Sequence, residues 1–266
     1  MPRLDELRAA FLAKGSVVVG FSGGVDSAVL AKVAHDTLGA RALAVIVDSE
    51  SYAPEEKDAA IAFAREIGLP FELVWHSELA DPDYAANPTD RCYFCRQGLS
   101  DVLFSIAQAR GLGTVAVGTH ADDARQWRPG DAALRERGAW QPFVELGMVK
   151  ADVRSLAREL GLAVSEKPSM ACLSSRIPYG EPIDITKLTR IGRAEAAVRA
   201  LGFAQVRVRT FGGTTARVEC EDPARALSLA GDIERALRGL GYTSVEVDPR
   251  GYRMGSMNEL VGLKPL

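Results

Sequence analysis

The chain has 266 residues, 47% of them hydrophobic and 25% charged, which is enough for one large domain or two modest ones. A formal net charge of −3 and a pI near 5.8 exclude a broad basic field, so the composition does not point to nucleic acid as a partner. The start, Met1 to Arg8, is polar and no later apolar run is long enough to cross a membrane, so the sequence reads as cytoplasmic, where four cysteines point to metal, cluster or sulfur chemistry rather than disulfides.

Leu4, Leu7, Ala10 and Phe11 recur at helical spacing, which predicts a helix over 3–13. An apolar run, Val17 to Phe21, then ends at Ser22-Gly23-Gly24-Val25-Asp26-Ser27, and Ala28 to Ala34 follows with residues suited to a helix packed on a sheet. Strand, glycine turn, helix is an order that binds anions. Glycines let the backbone approach a phosphate, and the helix points free N–H groups and its positive dipole end at it. Ser22 and Ser27 can add hydroxyl donors, whereas Asp26 repels phosphate and so implies Mg2+ bridging the two.

Residues 41–47 predict a second buried strand, ending at Asp48-Ser49-Glu50-Ser51. Ligands of open α/β sheets lie beyond the carboxyl ends of the strands, so Val47 and Ser49 are expected near the adenosine of a bound nucleotide. Pro54 opens a helix through Ile67, Phe71 to Trp75 is the third strand, and a helix over about 92–110 leads to a fourth strand at 114–118. Gly118, Thr119, Asp122 and Asp123 stand at its end, the acids readable both as a helix N-cap and as part of a nucleotide site. His120 reads as a capping or solvated residue. Arg125 to Gly138 is charged and glycine-broken, and Asp152 is expected to cap a helix that stops at Gly161. Strands alternating with helices predict a parallel, doubly wound α/β sheet over 1–165.

Glu166 to Pro182 contains three prolines and no sustained period, so 166–185 is expected to be a long functional loop or linker. Beyond it, a helix (188–201), two strands (203–210 and 214–220), a helix (223–240) and a strand (242–248) predict a small α+β domain over 186–266 with an antiparallel pair. In Gln205 to Arg209 the period of two puts Val206 and Val208 on one face and Arg207 and Arg209 on the other, a forked pair suited to a phosphate unless that face is merely solvated.

Cys92 and Cys95 fall about one turn apart at a predicted helix N-terminus, beside Arg91 and Arg96, an environment that favours thiolates. Cys172 lies in the proline-rich loop next to Ser174, Ser175 and Arg176, a candidate nucleophile. Three thiolates are too few for structural zinc but suit a [4Fe-4S] cluster with one iron left open. Cys220 reads as core, and Glu195 is ambiguous from spacing alone.

Residues 22–27 resemble the SGGxDS signature of the PP-loop ATP pyrophosphatases at every fixed position and lack the Gly-Lys-Ser/Thr of a Walker loop. That resemblance implies cleavage of ATP between the α and β phosphates, with AMP placed on an acceptor oxygen. The string Pro168 to Gly180, the Arg-x-Arg at 207 and 209, and Gly251 to Glu259 resemble the LarE family, and the likeness runs nearly end to end. LarE proteins are PP-loop sulfur transferases that make the nickel-pincer nucleotide of lactate racemase. The resemblance implies adenylylation of the carboxylates of pyridinium-3,5-biscarboxylic acid mononucleotide and their conversion to thiocarboxylates. It assigns Cys172 as the sulfur-bearing cysteine, Ser175, Arg176 and Glu195 to the substrate site, and Arg207 and Arg209 to the substrate phosphate. It further implies a homo-oligomer, a sulfide donor, and, because Cys92 and Cys95 accompany Cys172, sulfide carried on a cluster rather than given up by Cys172 itself. A tRNA thiolase and an ATP-sensing protein without turnover are the rival readings.

Overall fold

The computed structural model describes residues 2–124, 128–168 and 171–262. Of the readings above, the start of the Arg125 to Gly138 stretch and Ser169 and Met170 of the long loop lie outside them. The chain divides into two units. One takes the chain up to Glu78 and again from Asp90; the other takes Leu79–Thr89 and the chain from Ala171 onward.

In chain order the elements are α1 (Pro2–Lys14), β1 (Val17–Gly20), α2 (Val25–Leu38), β2 (Ala42–Asp48), α3 (Pro54–Glu66), β3 (Phe71–Trp75), α4 (Pro82–Ala85), α5 (Arg91–Arg110), β4 (Val115–Ala116), α6 (Ala121–Ala124), α7 (Pro129–Glu136), α8 (Pro142–Glu145) and α9 (Lys150–Glu159). After a 3-10 turn at Leu173–Arg176 come α10 (Ile185–Ala200), β5 (Val206–Phe211), β6 (Thr215–Cys220), α11 (Pro223–Ser228), α12 (Ala230–Arg238) and β7 (Ser244–Val247).

The first unit is a parallel sheet in the order β3-β2-β1-β4. β1, β4 and most of β2 are apolar runs buried between helices on both faces, whereas the edge strand β3 leaves Leu73 and Trp75 exposed. Val17, Val19, Ala44 and Ile46 pack into one core with α1, α2, α3 and α9, while Val18 and Val45 pack into the other with Leu103 of α5 and Leu134 of α7. β1 is followed by β2 on one side and meets β4 on the other, so the direction of winding reverses between β1 and β4. A crevice opens at such a reversal, beyond the carboxyl ends of the strands.

The second unit holds a three-stranded sheet, β5 antiparallel to β6 and β6 parallel to β7. Val206, Val208, Ala216 and Val218 pack against Ala194 and Val198 of α10 and Ile233 and Leu237 of α12; Cys220 joins them. Burial pushes the Cys220 thiol up to about 12, which keeps it an inert apolar filler.

Leu79–Thr89 belongs to the second unit rather than to the sheet domain that the sequence places it in. The reason is polar. The Asn87 amide donates to the carbonyls of Pro178 and Glu181, Gly180 N–H returns a bond to Asn87 O, Ile183 N–H bonds Ala85 O, and the buried Tyr84 hydroxyl meets Ser174 Oγ at 2.6 Å. Asn87 sits at φ 57°, a left-handed conformation that asparagine tolerates better than most residues. Two smaller readings change. Asp152 does not cap α9 from the N-cap position; Val149 holds that place and Asp152, three residues on, accepts its N–H. The helix predicted over 223–240 is broken at Leu229 into α11 and α12.

Candidate active site

The first unit brings Ser22 to Ser27 to the carboxyl end of β1. Gly24 is the N-cap of α2 with no side chain capping it, which leaves the first amides of the helix pointing out of the turn. Gly23 has φ +67°, and a Cβ there would stand 2.7 Å from Ala60 Cβ of α3, so the loop closes only with glycine. Ser27 Oγ accepts Ser22 N–H at 3.2 Å and donates to Gly24 O at 3.0 Å, which ties the turn to itself, and Tyr52 hydroxyl donates to Ser22 O at 3.0 Å. This tyrosine was not singled out by motif; only its position after β2 hinted at it.

Gly118 is pressed against the same loop, since a Cβ on it would lie 3.0 Å from Asp26 C and from Ser27 N. Asp26 does not stand alone. Lys150 Nζ donates to both its carboxylate oxygens, at 2.6 and 2.8 Å, while Lys150 backbone N–H donates to Asp122 Oδ2 at 2.8 Å. The first residue of α9 thus joins the ends of β1 and β4. Lys150 was invisible to motif reading because it lies 124 residues from Asp26. A partly exposed carboxylate beside such a loop has the donor chemistry that suits magnesium, which takes one or two carboxylates plus substrate phosphates.

Around this loop, Thr119 Oγ1 donates weakly to Asp131 Oδ1 at 3.4 Å, and burial raises the Asp131 carboxyl above the usual range. His120 is buried, and its Nδ1 accepts Asp123 N–H, so it caps rather than faces solvent. Val47 packs against the α5 side of the sheet. Ser49 Oγ donates to the buried Glu78 at 2.9 Å; Ser51 donates to the same oxygen.

Cys92 and Cys95 sit in the first turn of α5, Cys92 exposed and Cys95 half-buried. A Cβ on Gly98 would run into the His76 ring beyond the end of β3, and one on Gly130 would lie 3.0 Å from Cys92 O. The pair therefore occupies the same carboxyl edge of the sheet as the phosphate loop. Among the described residues, no three Cys, His, Asp or Glu side chains gather into a metal site.

In the second unit the remaining candidates converge. Arg176 donates through Nε and Nη2 to the two oxygens of Glu195, at 2.7 and 3.1 Å, and through Nη1 to Ala171 O, Cys172 O and Ser175 Oγ. The guanidinium thus wraps the Cys172 loop around itself. Glu195, 0% exposed, also accepts from Arg199 and from Val208 N–H. Burial alone would raise its carboxyl, but Arg176, Arg207 and Arg199 outweigh that and hold it below the usual carboxylate range.

Arg209 pairs with Glu219 at 2.8 Å and donates to Ser175 O; Arg207 is stacked over the Tyr252 ring at 5.1 Å. Arg207 and Arg209 are both buried, so theirs is not a solvated strand face. Burial, with Arg176 close by, brings Arg207 down to about 10. Glu219, whose carboxylate also accepts from Ser256 Oγ, was missed in the sequence, where it is one acid among many.

The NAD synthase family matches residues 7–85. An uncharacterized protein of Synechocystis is 42% identical over 97% of this chain and 98% of its own. The pyridinium-3,5-bisthiocarboxylic acid mononucleotide synthase of Lactiplantibacillus plantarum is 35% identical over 91% of this chain and 89% of its own. The chain belongs to the LarE family. It is accordingly an enzyme of the ATP-using PP-loop kind, with the parallel α/β sheet expected of one. The NH3-dependent NAD+ synthetase of Chlorobaculum tepidum is 35% identical over a shorter stretch, 28% of this chain and 27% of its own. No described helix is long and apolar enough to cross a membrane.

Proposed function

We propose that this LarE protein adenylylates the carboxylates of pyridinium-3,5-biscarboxylic acid mononucleotide and converts them to thiocarboxylates for a nickel-pincer cofactor. The observation that carries this reading is the match to the Lactiplantibacillus synthase, which extends through both units and not only the ATP-binding half.

ATP lies with its phosphates on Ser22 to Ser27 and the α2 N-terminus, and Asp26 would hold Mg2+, which neutralises phosphate charge when bound. A carboxylate oxygen of the substrate attacks the α phosphorus, and the bond to the β-phosphate oxygen breaks, releasing pyrophosphate. A sulfur nucleophile then attacks the acyl carbon and AMP leaves with the electron pair of the C–O bond. Adenylylation thus supplies the leaving group that a bare carboxylate lacks. Arg207 and Arg209 take the substrate phosphate, to which guanidinium groups offer paired N–H donors. Arg176 and Glu195 fix the loop that presents Cys172.

Cys92, Cys95 and Cys172 would hold a [4Fe-4S] cluster, which when bound supplies an iron open to an extra sulfide from a donor. The second reading is donation of its own sulfur by Cys172, whose backbone carbonyl Arg176 holds. Anaerobic purification with iron and sulfide analysis, and mass spectrometry after turnover, separates them. About four irons per chain, lost on Cys92→Ala with Cys95→Ala, supports the cluster; an iron-free protein that loses the elements of hydrogen sulfide at Cys172 supports self-donation. Pyrophosphate release that does not depend on the nucleotide carboxylate would overturn the whole reading.

A further inference from the structure

We infer that Lys150 is an exchangeable counter-ion which occupies the metal-binding carboxylate until ATP arrives, so that metal and nucleotide enter together. The inference rests on the reading of residues 22–27 as the ATP site and adds a role for a residue outside that motif.

Three observations carry it. The Lys150 ammonium takes both oxygens of Asp26, leaving that carboxylate engaged before any metal approaches. Its backbone is fixed, because its own N–H is bonded to Asp122 and the preceding N–H to Asp152, so the side chain alone can move. Both side chains reach solvent, Lys150 at 29% and Asp26 at 26% exposure, which lets the pair open without unpacking a core.

A divalent ion cannot share Asp26 with an ammonium at the same distance without strong repulsion. When ATP brings the metal, the phosphates also bring several negative oxygens to the loop. Lys150 then transfers from the carboxylate to those oxygens, and one cation is replaced by another at Asp26. The empty site is thereby kept from binding metal unproductively, and the lysine is delivered to phosphate only with its substrate.

The test titrates Mn2+ into the full chain and reads free Mn2+ by electron paramagnetic resonance, with and without a non-hydrolysable ATP analogue whose own binding is followed by calorimetry. Wild type should bind Mn2+ weakly alone and far more tightly with the analogue. Lys150→Met should bind Mn2+ without nucleotide on the order of tenfold more tightly than wild type, because the competing charge is gone, while its affinity for the analogue falls. Lys150→Arg should behave as wild type and Asp26→Asn should lose the site; Lys150→Gln replaces the methionine variant should that one not fold. Equal nucleotide-free Mn2+ affinity in wild type and Lys150→Met overturns the exchange while leaving the ATP reading intact. Failure of wild type to bind the analogue at all removes the ATP reading, and the exchange with it.

Discussion

On the proposed function the loop at residues 22–27 and the arginine network of the second unit both meet an anion, by opposite means. The loop uses backbone amides, two serines and glycines, with its full charges partly open to solvent. The network uses whole ionised side chains, Arg176 and Arg209 against Glu195 and Glu219, at 5% exposure or less. Amides at an open turn carry no net charge to desolvate and can bond water until a ligand arrives. Buried ions stabilise only as a complete set, and removing one member strands another. The first region should therefore fail by losing function, and the second by losing stability.

The largest effects should come from the loop side of that contrast. Asp26→Asn should reduce pyrophosphate release by roughly 10²–10³-fold, the usual loss when one charge-stabilising group leaves a reaction centre, with the unfolding midpoint little changed. A variant that still forms acyl-adenylate at the wild-type rate would take Asp26 out of the reaction. Of comparable size, though in the second unit, Cys172→Ala should keep pyrophosphate release and lose thiocarboxylate formation, a split visible when both products are quantified in one assay.

On the other side, Glu195→Gln should cost about 3–5 kcal/mol in urea unfolding at neutral pH, because Arg176 is left without its counter-charge. The pH sign follows from the lowered carboxyl of Glu195. Its contribution is complete above the ordinary carboxylate range and disappears as pH falls through the lower folded value, so wild type should lose on acidification a share of stability that the variant no longer has. Parallel curves for the two proteins would show that the pair contributes nothing. Gly23→Ala places a side chain at positive φ against Ala60 and should cost about 1–3 kcal/mol, together with a raised KM for ATP. The smallest effect is expected of Tyr52→Phe. It loses one hydrogen bond to Ser22 O, worth about 1 kcal/mol, or roughly fivefold in KM for ATP with kcat held.

The same contrast explains what the sequence revealed. The turn at residues 22–27 is encoded where it stands, since glycine and hydroxyl residues act within a few positions of one another. Strand alternation likewise placed Val206 and Val208 in the core and separated Arg207 from them. What alternation cannot show is what covers the polar face, so the burial of Arg207 and Arg209 emerged only in the structure. Lys150, Glu219 and Asn87 act on residues far away in the chain, and nothing in their neighbours announces it. Asp152 misled for a related reason: an acid three residues into a helix and one at its N-cap look alike in a sequence.

Leu79–Thr89, whose side chains and backbone are bonded to 174–183, has a consequence for how such a protein can be divided. The chain passes from one unit to the other three times, near residues 78, 89 and 170. The smaller unit is thus not a contiguous tail that one cut could remove. A cut anywhere between residues 89 and 170 leaves Asn87 and its carbonyl acceptors, Pro178 and Glu181, in separate pieces. A fragment made to hold the second unit alone has to carry both stretches.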